Sequence, residues 1–161
     1  MIDTEVLFRI ADAAQDAGDY ELARKSFERG VALGDTASLT RLAFIYDVGV
    51  GVPVDKSLAM GLYQKAWRRG QDVSAANNIA ILYREIGRRG EMFRWFQRAA
   101  QTGDGSAHLD LAKCYLEGLG VRKNPQLGLR CLAVAIGSIY ISEDEREQAL
   151  ALLTTLKPEL V

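Results

Sequence analysis

The stretch YDVGVGVPVDKSLA, residues 46–59, admits two opposite readings. Its glycines and its Lys56-Ser57 pair suggest a phosphate-cradling loop, whereas its spacing suggests a turn copied from a repeating unit. A second copy decides between them. YLEGLGVRKNPQLG, residues 115–128, sets Tyr115, Gly118, Gly120 and Val121 at the offsets of Tyr46, Gly49, Gly51 and Val52. The residue before Lys56 is Asp55, whose carboxylate would repel phosphate, and the loop follows a helical pattern where a phosphate loop follows a strand. Neither ATP nor GTP is expected to bind. The glycines should end a helix in left-handed backbone that a side chain disfavours. Asp55 and Asn124 should then cap the next helix, with Pro125 in its first turn. On this reading, removing Lys56 should leave stability nearly unchanged.

Moving outward, the turn belongs to a longer pattern. IADAA (residues 10–14), LAFIY (42–46), IAILY (79–83) and LAKCY (111–115) share an aliphatic residue followed by alanine, and three of the four end in tyrosine. Their alanines, Ala11, Ala43, Ala80 and Ala112, are 32, 37 and 32 residues apart. After each turn comes a second pattern in which Phe27, Tyr63, Phe96 and Leu132 align, as do Gly30, Ala66, Ala99 and Ala135. Apolar residues recur at helical spacing in both halves, for example Leu39, Leu42, Ala43 and Tyr46. Each unit is therefore expected to be two amphipathic helices. The small residues let helix axes approach to about 8 Å, and the aligned ring fills the space beside the crossing. A lone helix pair cannot cover its own apolar face, so neighbouring pairs must stack. The expected fold is all-α, a solenoid of about four helix pairs in a single domain over residues 1–161. Its units run over about 3–35, 36–71, 73–104 and 105–139.

The segment SEDEREQALALLTTL, residues 142–156, lies outside this pattern. Ser142 and Glu145 can form a capping box, and Ala149, Leu150, Leu153 and Leu156 make an apolar stripe ahead of Pro158. It is expected to be a capping helix over the last pair.

Composition agrees with a helical domain. The chain has 161 residues, 25% charged and 48% hydrophobic, with three prolines and a formal net charge of -1. That charge excludes strong overall attraction to nucleic acid or to membrane, and no apolar run approaches the roughly 20 residues a bilayer span needs. The start, MIDTEVLFRI, has acids where a secretory signal has lysine or arginine, so a cytoplasmic location is expected. Cys114 and Cys131 lack metal or redox spacing and are expected to be reduced, small hydrophobes. His108 has no ligand-like residue four positions on, and no nucleophile elbow or carboxylate pair is present. We therefore expect no enzyme activity, no cofactor, no metal and no small-molecule substrate.

The run Tyr46-x-x-Gly49-x-Gly51-Val52-x-x-Asp55-Lys56-x-x-Ala59 resembles the loop of Sel-one-like repeats, and WFQRAAQTG, residues 95–103, is similar to their second-helix signature. The resemblance spans roughly residues 1–139 and places the chain among tetratricopeptide-like helical repeats. It implies a right-handed superhelix and a protein-binding adaptor. It also implies that first helices line a concave, partner-binding face. Carried over from the aligned alanines, that face comprises Thr40, Arg41, Phe44 and Asp47 in the second unit. In the third it comprises Asn77, Asn78, Ile81 and Arg84, and in the fourth Asp110, Lys113 and Glu117. An alternative role is that of a dedicated inhibitor or immunity protein that neutralises a toxin by direct binding.

Charge is unevenly distributed. Between Lys65 and Arg98 eight basic residues face three acidic ones, while both ends of the chain are acidic. Arg88 and Arg89, in the short turn GRRG, must project from it and are further candidates for partner contact. An acidic protein segment suits them better than nucleic acid, because interleaved aromatics and overall positive charge are missing.

Overall fold

The computed structural model describes residues 3–156, and among these it contains nine helices and no strand. They are α1 (Thr4–Asp16), α2 (Tyr20–Ala32), α3 (Thr36–Val48), α4 (Lys56–Gly70), α5 (Val73–Glu85), α6 (Arg89–Ala100), α7 (Gly105–Glu117), α8 (Pro125–Gly137) and α9 (Glu143–Leu156). Pro158 lies outside the described residues. This is the all-α, helical-repeat architecture expected from the sequence.

Local chemistry sets the helix limits. Asp3, Asp35, Asp72 and Asp104 each stand eight residues before a repeat alanine. Their carboxylates accept first-turn backbone N–H groups, as Asp35 does from Ser38 at 2.8 Å and Asp72 from Ala75 at 2.8 Å. At the other end, Gly49 and Gly118 close α3 and α7 with φ near +79° and +77°. Asp55 and Asn124 then cap α4 and α8, and Pro125 opens α8. Ser142 and Glu145 complete their capping box: the Ser142 N–H donates to Glu145 Oε2 at 3.1 Å, and the Glu145 N–H to Ser142 Oγ at 3.3 Å.

The chain forms two compact units, Met1–Ala75 and Ala76–Val161. In the first, α1 packs on α2, α2 on α3 and α3 on α4. Ala11, Phe27, Leu42 and Ile45 form its core, with Phe8 edge-on to Phe27 at 5.4 Å between ring centroids. Gly30 is buried because a Cβ there would strike Ser38 of α3, so glycine permits that close crossing. In the second unit, α7 packs on α6 and α8, and α9 on both α8 and α7. Its core joins Leu109, Ala112, Leu132, Ala135 and Ala149, with Leu152, Leu153 and Leu156 of α9 against it. Leu150, counted in the apolar stripe, is exposed instead. All four repeat alanines are fully buried, as are Phe27, Tyr63 and Leu132, with Phe96 at 1% exposure. Ala149 lies 37 residues after Ala112 and is equally buried, so the 32 and 37 spacing continues into α9.

Candidate protein-interaction face

The first helices of each unit carry nearly all the residues expected to meet a partner, and the structure gives many of them intramolecular partners. Within Met1–Ala75, Arg41 of α3 reaches Asp12 of α1, with Nη2 to Oδ1 at 2.5 Å, and its guanidinium lies 5.9 Å from the Phe27 ring centroid. Within Ala76–Val161, the Asn77 side chain donates to Asp104 Oδ2 at 2.7 Å, and Arg84 pairs with Asp110 at 3.5 Å. From α7, Ser106 donates to Glu145 at 2.8 Å and Lys113 to Gln148 at 3.4 Å. Within each unit, then, successive first helices are laced by polar pairs. Burial pushes the Asp110 carboxyl above its ordinary value, a rise that Lys113 and Arg84 offset only in part.

Two expected contact residues are turned inward. Thr40 and Asp47 are buried, and Asp47 is bound on both carboxylate oxygens: Lys56 Nζ donates to Oδ1 at 2.6 Å and the Tyr63 hydroxyl to Oδ2 at 3.3 Å. Lys56 thus holds a buried carboxylate, a contact that the expectation of a silent Lys56 substitution did not include. The signal was present in the repeat itself. At the equivalent places of the fourth pair stand Leu116, Pro125 and Leu132, so one polar triad is replaced by an apolar one. Gly128, at the place of Ala59, makes the room that Leu116 needs, since a Cβ there would stand 2.7 Å from the leucine side chain.

Other residues remain open to solvent. Phe44 is 38% exposed on α3, with Val48 one turn further at 49%. Ile81 is only partly exposed, Asn78 likewise, while Arg88, Arg89 and Glu117 are exposed. His108 is half-buried and its Nδ1 lies 2.8 Å from the Asp104 carbonyl oxygen. Cys114 is buried and Cys131 half-buried, and both are free thiols. Among the described residues no three His, Cys, Asp or Glu side chains converge to hold a metal ion, and no helix is long and apolar enough to cross a membrane.

The comparisons with known proteins agree with this geometry. Residues 36–71, 93–104 and 105–136 match the Sel1 repeat, and residues 4–33 match a tetratricopeptide repeat. An uncharacterized protein of Neisseria meningitidis serogroup B is 32% identical over 111 residues, which are 69% of this chain and 23% of that protein. A protective antigen of uropathogenic Escherichia coli with an SLR fold superposes with a TM-score of 0.81 at 22% identity, over 96% of this chain and 33% of that one. A Sel1 repeat protein from Oxalobacter formigenes superposes with a TM-score of 0.79 at 17% identity, over 96% of this chain and 62% of that one. The chain thus spans less than two thirds of the length of each of these relatives. Repeats of this type generally mediate protein–protein interaction and are typically non-catalytic. Paired helices, buried repeat alanines and left-handed loop glycines all fit that assignment: the chain is a helical-repeat protein of the Sel1-like, tetratricopeptide type.

Proposed function

We propose that this chain is a non-enzymatic adaptor that binds a segment of a partner protein on the exposed face of its first helices. One observation carries the reading. Helix α3 buries Leu39, Leu42, Ala43 and Ile45, yet leaves Phe44 and Val48 in solvent on one strip beside Arg41. An exposed aromatic ring next to an arginine, on a helix whose Leu39, Leu42 and Ile45 already fill the core, supports a partner anchor better than a folding role. The Arg41–Asp12 pair holds its guanidinium near the base of that strip, so a bound segment would meet a pre-ordered charge. The test is affinity capture from the native cell followed by measurement on the purified partner. Phe44→Ala should weaken that complex by about 1–3 kcal/mol and leave the melting temperature nearly unchanged. Loss of fold with no selective loss of binding would assign the ring to the core and reject the reading.

A further inference from the structure

The two glycine loops perform the same act in the two units. Gly51 lies over the start of α2, where a Cβ would collide with the Tyr20 side chain, 3.0 Å from its Cγ. Gly120 lies over the start of α6, where a Cβ would fall on the Arg89 carbonyl and stand 3.0 Å from the Gly90 nitrogen. Each contact brings a loop onto the beginning of a second helix. The charges gathered there are opposite. Asp19, Glu21 and Asp55 attend the first contact, whereas Arg88, Arg89, Arg122 and Lys123 attend the second. All four basic side chains are exposed. Among the described residues Arg89, Arg122 and Lys123 have no ion-pair partner, and Arg88 only shares Glu91 with Arg94, at 3.3 and 3.5 Å.

Folding does not account for this cluster. Cations at the start of α6 oppose the helix dipole, and Arg88 supplies no side-chain cap. The same loop contact forms around Gly51 with Asp19, Tyr20, Pro53 and Val54 at the places of Arg88, Arg89, Arg122 and Lys123, so the contact does not need the cations. We propose that the α6 start and the α7–α8 loop together form a docking surface for an acidic segment of a partner protein. The inference rests on the protein-binding reading above and assigns it a second, electrostatic surface. Nucleic acid fits less well. Arg88 lies over one face of Tyr83 at 5.9 Å and Arg98 over one face of Trp95 at 4.3 Å, and the whole chain has a formal net charge of -1.

The experiment is fluorescence anisotropy of a labelled oligo-glutamate peptide with the full chain. Affinity should fall as salt rises, and the double change Arg89→Glu with Arg122→Glu should weaken it roughly tenfold. The matched control, Arg68→Glu with Arg69→Glu at the end of α4, alters net charge equally and should leave the affinity nearly unchanged. Circular dichroism accompanies each variant. Should the first pair not fold, Arg89→Gln with Arg122→Gln replaces it, with a several-fold loss expected. Equal weakening by both charge reversals would reduce the effect to net charge and overturn the proposal. So would tighter binding of an oligodeoxythymidylate of equal charge, or self-association that consumes these arginines. Phe44→Ala should leave oligo-glutamate binding intact. A failure of the first-helix reading would instead appear as a partner indifferent to Phe44→Ala, so the two failures are distinguishable.

Discussion

Lys56 Nζ lies 2.6 Å from Asp47 Oδ1, joining the first turn of α4 to a carboxylate buried on α3. The aspartate side chain is 9% exposed and the lysine 45%, so the pair is screened from one side only. Its second oxygen accepts the Tyr63 hydroxyl, and burial, reinforced by Asp47, raises that phenol far above its ordinary range. Lys56→Ala should therefore cost about 1–2 kcal/mol, because it leaves a largely buried charge with one neutral donor. Tyr63→Phe should cost less, about 0.5–1.5 kcal/mol, since the ion pair survives. Urea denaturation of both variants tests the order, and a silent Lys56→Ala would show that the pair contributes nothing.

The loop glycines separate backbone strain from steric collision. Gly118 has φ near +77° but its nearest foreign atoms would be 3.6 Å from a Cβ, an ordinary contact. Gly120 has φ near +74° and also abuts the Arg89 backbone. Gly118→Ala should cost about 1–2 kcal/mol from left-handed strain alone. Gly120→Ala should cost clearly more, because backbone cannot rotate away as a side chain can. Thermal melts of the two variants decide this; equal shifts would mean that the loop yields without cost.

Stability should depend on acid through Glu145. Burial alone would push its carboxyl up, but the Ser142 and Ser106 hydroxyls and the Ser142 N–H outweigh that and hold it below the usual value. A depressed folded pKa means stability that is present above the unfolded pKa and lost as pH falls through the folded one. Glu145→Gln should thus be less stable than the parent at neutral pH, with the gap closing below the ordinary carboxylate range. Ser142→Ala should cost about 1 kcal/mol at neutral pH through the lost cap. Denaturation midpoints across that pH range provide the check, and a constant gap would contradict it.

Cysteine reactivity should follow burial. Burial pushes the Cys114 thiol up to about 12, with Asp110 adding to the rise, and Cys131 is raised less by burial alone. At neutral pH both are protonated, and Cys114 is also sheltered. Maleimide followed by mass spectrometry should label Cys131 first and Cys114 only after denaturation. Early labelling of Cys114 would show that the α7–α8 pair opens readily.

Most of the fold was legible because its rules are local. The 32 and 37 spacing of alanines, the aspartates eight residues ahead of them and the glycine pairs of two loops each act within a few turns of helix. Their burial, capping and left-handed backbone follow without knowledge of the partner helix. The same spacing would have reached α9 had Ala149 been counted from Ala112.

The face of the first helices was legible only as a row of positions. Sequence spacing put Thr40, Arg41, Phe44 and Asp47 on α3, but it could not say which of them a neighbour would claim. Asp47 turned inward because α4 brought Lys56 and Tyr63 to it, while Arg41 was drawn to Asp12 and Phe44 was left exposed. Likewise Arg89 and Arg122 stand 33 residues apart, and only the seat of Gly120 on the α6 backbone brings their segments together. Helical periodicity is written in the chain because it concerns residues three and four apart. The exposure of a side chain is decided by what packs against it, and that contact exists only once the helices have stacked.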